Sequence, residues 1–187
     1  MREKRNIVLV GFMGTGKTSV GRRLADALGL EFLDMDHVIE QRAGKPISRI
    51  FAEDGESHFR ALERSLAREL SARGSLVIAT GGGIVLDPDN IRDFSSSGLV
   101  VCLLACPEAI LARVEKETHR PLLAGGDKLQ KIRALLESRR ALYEAIPARV
   151  DTNGLSAEQV ADRVLALYRA PRDGASLADL HSARGCA

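Results

Sequence analysis

Gly11-Phe12-Met13-Gly14-Thr15-Gly16-Lys17-Thr18 has the residue types and spacing of G-x-x-x-x-G-K-[ST], the pattern of a phosphate-binding P-loop. Glycines open backbone conformations closed to other residues, so successive N–H groups can converge on one anion. A helix beginning where the loop ends adds its positive pole at the same point. The expected phosphate contacts run through Gly14, Thr15, Gly16, Lys17, Thr18 and Ser19. Lys17 should reach the β- and γ-phosphates, and the Thr18 hydroxyl should ligate Mg²⁺. The pattern predicts that a nucleoside triphosphate binds and leaves open what is done with it.

Further residues could complete a reaction. Asp34 and Asp36 stand where an apolar run ends and a helical pattern begins. In extended chain, residues two apart point to the same side, so both carboxylates could face one cleft. One could hold Mg²⁺ through water and the other could accept a hydrogen bond from a substrate hydroxyl. Asp36 suits equally well the N-cap of a helix starting at His37. Arg60, with Glu63 and Arg64 three and four positions on, reads as part of a solvated ion-pair face. Arg139 and Arg140 read the same way on a long helix. Gly81-Gly82-Gly83 directly follows a strand-like run. A tight turn there needs one glycine, and the other two suggest that a ligand touches the backbone closely. Asp151-Thr152-Asn153-Gly154 matches D-x-x-G but follows the last strand, and the chain has no N-K-x-D; it reads as a turn.

These residues must be held by strands and helices in alternation. Strand-like runs fall at 7–10, 31–34, 76–79, 99–104 and 148–151. Helical patterns fall at about 17–28, 37–43, 48–53, 57–72, 88–94, 107–116, 127–145 and 156–168. Such alternation predicts an α/β fold, with a five-stranded parallel sheet covered on both faces in three layers. In such sheets ligands bind at the carboxyl ends of the strands, where the P-loop and the two aspartates lie. Residues 117–126 lack periodicity, carry Arg120-Pro121 and end in Gly125-Gly126. That suits a mobile loop with a glycine hinge or an ordinary connection between helices. Residues 1–170 form one expected domain, and 171–187 read as a poorly ordered tail.

Composition narrows the partners. With 27 Lys and Arg against 25 Asp and Glu, the net charge of +2 supports neither nucleic acid nor a membrane surface as the main partner. There is no Trp, and aromatic residues are 4% of the 187, which argues against base-stacking platforms. Three scattered cysteines lack metal-ligand spacing and read as reduced thiols, with Cys102 a small apolar strand residue. No apolar run approaches a membrane span and no signal peptide is apparent, so a cytoplasmic, monomeric protein is expected.

Taken in order, the pieces resemble the shikimate kinases. The resemblance rests on GFMGTGKTSVGRRLA, LDMD, FRALE (59–63), TGGG, RPLL (120–123), R-x-x-x-Y (139–143) and VDTN, and covers about residues 6–168. It implies a P-loop kinase fold with a lid at about 117–126, and transfer of the ATP γ-phosphoryl group to the 3-hydroxyl of shikimate. By that resemblance Asp36 contacts the reacting hydroxyl as base or orienting group. Arg60 and Arg139 hold the shikimate carboxylate, and the Gly82 region lines the ring. Arg120 closes onto the phosphates, Arg113 packs near adenine, and Asp34 belongs with Thr18 to the Mg²⁺ shell. The neighbouring expectations are a gluconate or nucleoside monophosphate kinase of the same fold, or a non-catalytic nucleotide switch.

Overall fold

The computed structural model describes residues 5–114 and 127–170. The five apolar runs form strands β1 (Asn6–Val10), β2 (Glu31–Asp34), β3 (Leu76–Ala79), β4 (Gly98–Leu104) and β5 (Ala148–Asp151). Every pairing is parallel, in the order β2-β3-β1-β4-β5. Parallel neighbours cannot be joined by a tight turn, so each connection crosses a face of the sheet, mostly as helix. The helices are α1 (Lys17–Leu28), α2 (Met35–Ala43), α3 (Ile47–Glu53), α4 (Glu56–Ser71), α5 (Pro88–Ser97), α6 (Pro107–Val114), α7 (Lys128–Glu144) and α8 (Ala157–Arg169). A short 3₁₀ turn, Ile84–Leu86, follows the glycine triplet.

The central strand shows how the layers divide. Val8 and Val10 point to one face, where they pack with Ile78, Val100 and Cys102 beneath α2 to α5 and α7. Ile7 and Leu9 point to the other face, with Val77, Val101 and Leu103 beneath α1 and α8. All five residues of β1 are buried, as a strand covered on both sides requires. The expected three-layer α/β fold is therefore the one observed. Burial pushes the Cys102 thiol up to about 12, and with Cys106 it is a free cysteine. Cys102 is the apolar strand residue its sequence context suggests.

One polar residue fastens the amino-terminal edge of the sheet. Asn6 is fully buried, and its Nδ2 donates to the carbonyls of Leu70 (3.4 Å) and Arg73 (2.7 Å). Its Oδ1 accepts the Leu76 N–H at 3.0 Å. A single side chain thus ties β1 to the end of α4 and the start of β3.

Most helices begin and end within a few residues of their expected positions. The start of α2 differs, and the difference matters for the site. The expected loop at 117–126 with Arg120, and the expected tail at 171–187, lie outside the described residues.

Candidate active site

The phosphate loop leaves β1 at the centre of the sheet and runs directly into α1. Gly14 and Gly16 both take positive φ (74° and 93°), which side-chain-bearing residues rarely adopt. Gly16 is the N-cap of α1 and has no side chain to cap it. Thr15 is buried and donates through Oγ1 to the Phe12 carbonyl at 2.8 Å, which braces the turn. Lys17 is buried as well; its ammonium donates to the carbonyls of Gly11 (2.8 Å) and Phe12 (2.9 Å). The charge is thereby held against the loop it serves.

The two aspartates take different duties. α2 begins at Met35 rather than His37, so Asp34 is the N-cap and accepts the Asp36 N–H at 3.1 Å. Its second oxygen accepts from the Thr18 hydroxyl at 2.8 Å, which links β2 to the first turn of α1. Asp36 therefore stands inside the first helical turn and is not the cap. Both carboxylates do face one cleft, but a helical step brings Asp36 there rather than strand alternation.

Neither arginine proves bland. Arg60 on α4 donates to Glu63 at 2.7 Å and to Glu56 at 3.0 Å. Burial works against its charge, yet Glu63 and Glu56 together raise the guanidinium above its ordinary value. Arg139 on α7 is only 8% exposed, and Nη1 donates to the Gly82 carbonyl at 3.2 Å. Its guanidinium carbon lies 6.0 Å from the Phe12 ring centroid. A charge so deeply placed needs partners, and an anionic ligand would be one of them.

The three glycines are explained by what lies against them. A Cβ on Gly81 would stand 2.8 Å from both Asp36 Oδ1 and Glu63 Oε1. A Cβ on Gly83 would stand 2.4 Å from Arg60 Nη1. Between them, the Gly82 carbonyl accepts from Arg139 and from the Tyr143 hydroxyl. None of the three needs positive φ; Gly81 and Gly83 are small to admit side chains of the site, whereas a Cβ on Gly82 would meet the phosphate-loop backbone, with Met13 N at 3.3 Å.

Two cavities meet here. One, of about 260 Å³, is walled by Gly14, Gly16, Lys17, Thr18, Ser19 and Arg113. The other, of about 850 Å³, is walled by Phe51, Phe59, Arg60, Glu63, the glycine triplet and Arg139. Met13, Thr18, Asp34, Asp36 and Gly82 line both. Arg113 binds the Gly14 carbonyl and the Thr152 hydroxyl, each at 3.1 Å, and so fixes the rim of the smaller cavity. The D-T-N-G segment is the turn its position suggested, and Asn153 Oδ1 accepts the Cys106 N–H at the start of α6.

Two residues of the site have no site role that their spacing predicts. Glu63 is buried, and its Oε1 has no hydrogen-bond partner among the described residues. Burial pushes its carboxyl above the usual range against the pull of Arg60, and the negative Asp36 adds to the rise. Tyr143 is the second, one helical turn beyond Arg139. FRALE and R-x-x-x-Y contained both, but spacing alone could not say what either side chain faces.

Comparison with known proteins finds relatives along most of the chain. The shikimate kinase family model matches residues 13–169. A shikimate kinase of Pelotomaculum thermopropionicum is 47% identical over 161 residues, covering 86% of this chain and 94% of that protein. One from Thermodesulfovibrio yellowstonii is 42% identical over 170 residues, covering 91% and 98%. Among solved structures, a shikimate kinase from Acinetobacter baumannii in complex with shikimate superposes with a TM-score of 0.84 at 42% identity, covering 88% of this chain and 92% of that one. The family match takes in the phosphate loop from Met13 onward and the residues of the arginine-lined cavity, and the chain belongs to the shikimate kinase family.

Proposed function

We infer that the protein transfers the γ-phosphoryl group of ATP to the 3-hydroxyl of shikimate, giving shikimate 3-phosphate and ADP. The observation that carries the reading is the wall common to the two cavities, where Asp36 and Gly82 face both the phosphate loop and the paired arginines. A hydroxyl held there by Asp36 lies between the phosphate donor and the anchor for a carboxylate. The match to a structure solved with shikimate supports the same acceptor.

The roles follow from chemistry. A carboxylate suits the planar fork of arginine, which assigns the acceptor's anionic end to Arg60 and Arg139. Asp36 accepts the hydrogen bond of the reacting hydroxyl, whose oxygen forms the new bond to phosphorus as the bond to the ADP oxygen breaks, its proton leaving through the Asp36 carboxylate to solvent. Lys17 and the amides from Gly14 to Ser19 hold the β- and γ-phosphates, and Arg113 shapes the nucleotide end. Arg120, outside the described residues, is assigned to the transferring phosphate on its motif alone.

The Thr18 hydroxyl and the Asp34 carboxylate offer hard oxygen donors side by side. Among the described residues no group of three or more His, Cys, Asp or Glu could hold a metal. A two-oxygen set fits Mg²⁺, which commonly binds through one or two carboxylates together with substrate phosphates and water. When bound, that ion neutralises charge on the phosphates.

ADP release with Mg-ATP and, separately, shikimate, gluconate and nucleoside monophosphates tests the reading. Turnover is expected with shikimate alone. Turnover with another acceptor would reassign the substrate, and none at all would leave a nucleotide switch. The same reading includes a single monomeric domain over residues 1–170, acting in the cytoplasm, which light scattering and cell fractionation would check. Among the described residues, no helix is long and apolar enough to cross a membrane.

A further inference from the structure

Two donors from one turn of α7 converge on one carbonyl. The Tyr143 hydroxyl donates to the Gly82 oxygen at 2.8 Å, and Arg139 Nη1 donates to the same oxygen at 3.2 Å. Their i, i+4 spacing places both side chains on one helix face. That oxygen belongs to the peptide joining Gly82 to Gly83. Gly83 in turn lies against the Arg60 guanidinium, close enough that a Cβ would meet Nη1 at 2.4 Å. A single peptide therefore orients Arg139 by a hydrogen bond and supports Arg60 by contact.

Tyr143 is 4% exposed and is not on the wall of the larger cavity, so it does not reach a ligand itself. Burial pushes its phenol up to about 12, which keeps it a proton donor throughout the neutral range. A carbonyl oxygen has two acceptor positions. With the phenol in one, Arg139 takes the other with one longer bond and also hydrogen-bonds the phenol itself, and the rest of its five donors stay available for a carboxylate.

Resting on the functional reading above, we propose that Tyr143 is a positioning residue for acceptor binding. Its hydroxyl fixes the Gly82–Gly83 peptide, and through it the relative placement of Arg60 and Arg139. It sets affinity for the acceptor's carboxylate without touching it, and takes no part in phosphoryl transfer.

The test is Tyr143→Phe, which removes the hydroxyl and keeps the packed ring. KM for shikimate should rise about fivefold, the size expected for one buried hydrogen bond. KM for ATP and kcat should stay within about twofold, since the interaction is made equally before and during transfer. An unchanged KM for shikimate would overturn the proposal, as would an equal rise for both substrates. In an Arg139→Ala background the same change should add less than about twofold, because the two act through one carbonyl. A full, independent fivefold there would also overturn it. The wild-type protein assayed alongside keeps the two readings apart: if it does not turn over shikimate, the functional reading fails, whereas normal wild-type turnover with an unaffected variant removes only the role of Tyr143.

Discussion

Asp36, Arg139 and Glu63 show three ways a charge can be held at one cleft. Asp36 is released from capping by Asp34, which leaves its carboxylate for the wall between the cavities. Asp36→Asn should therefore lower kcat at least about a hundredfold, in the range typical of lost acid–base assistance, with the Kd for ATP unchanged within about twofold. A variant that keeps wild-type kcat would remove Asp36 from the reaction. Arg139→Ala should raise KM for shikimate about 10- to 100-fold, the worth of a charge-assisted hydrogen bond, and KM for ATP far less. Equal effects on both would count against a carboxylate clamp.

Glu63 makes a prediction about pH. Its carboxyl is raised above the ordinary value of 4.5, burial being the largest cause. The folded protein then holds this proton to higher pH than the unfolded chain does. Its contribution to stability is complete below about 4.5 and is lost as pH rises through the folded value. Glu63→Gln removes that titration, so the Tm of wild type relative to the variant should fall as pH rises above about 4.5. Parallel Tm curves would show that Glu63 titrates alike folded and unfolded.

At the scale of elements, the site depends on where helices begin and on how closely a loop passes them. α4 and α7 both reach the glycine triplet, with Arg60 against Gly83 and Arg139 on the Gly82 carbonyl. Gly83→Ala sets a methyl against the Arg60 guanidinium, the end of a flexible side chain that can move away. The fold should survive with Tm lowered by a few degrees at most, while KM for shikimate rises about tenfold through the displaced arginine. An unchanged KM would mean that Arg60 does not act from this position. The elements were largely legible beforehand, since apolar alternation and 3.6-residue periodicity are local signals. The start of α2 was not. Asp34 and Asp36 are both good caps, and the choice between them follows from the Thr18 hydroxyl, which holds the Asp34 carboxylate from another helix.

For the whole molecule, the two ends of the sheet divide the work. The carboxyl edge carries the phosphate loop, the aspartates and the glycines. The amino edge carries Asn6, whose buried amide ties β1 to α4 and β3 far from the chemistry. Asn6→Leu removes the side-chain partner of the Leu76 N–H and of the Arg73 carbonyl, while the Leu70 carbonyl keeps the Arg73 N–H, and urea unfolding should show a loss of about 2–4 kcal/mol. Its kcat should stay within about twofold of wild type; a collapse of kcat at temperatures where the variant is folded would mean the two edges are coupled.

What the sequence determined by itself was local and chemical: a loop that binds phosphate, alternating elements that build a parallel sheet, and motifs whose order marks a family. These are written in neighbouring residues and in backbone propensity. The tertiary structure decided which side chains share a surface. Arg60 and Arg139 look like solvated helix charges until the sheet order β2-β3-β1-β4-β5 brings α4 and α7 to one glycine loop. Glu63 and Tyr143 gain their roles in the same way, because burial and the second partner of a carbonyl are properties of packing between distant segments.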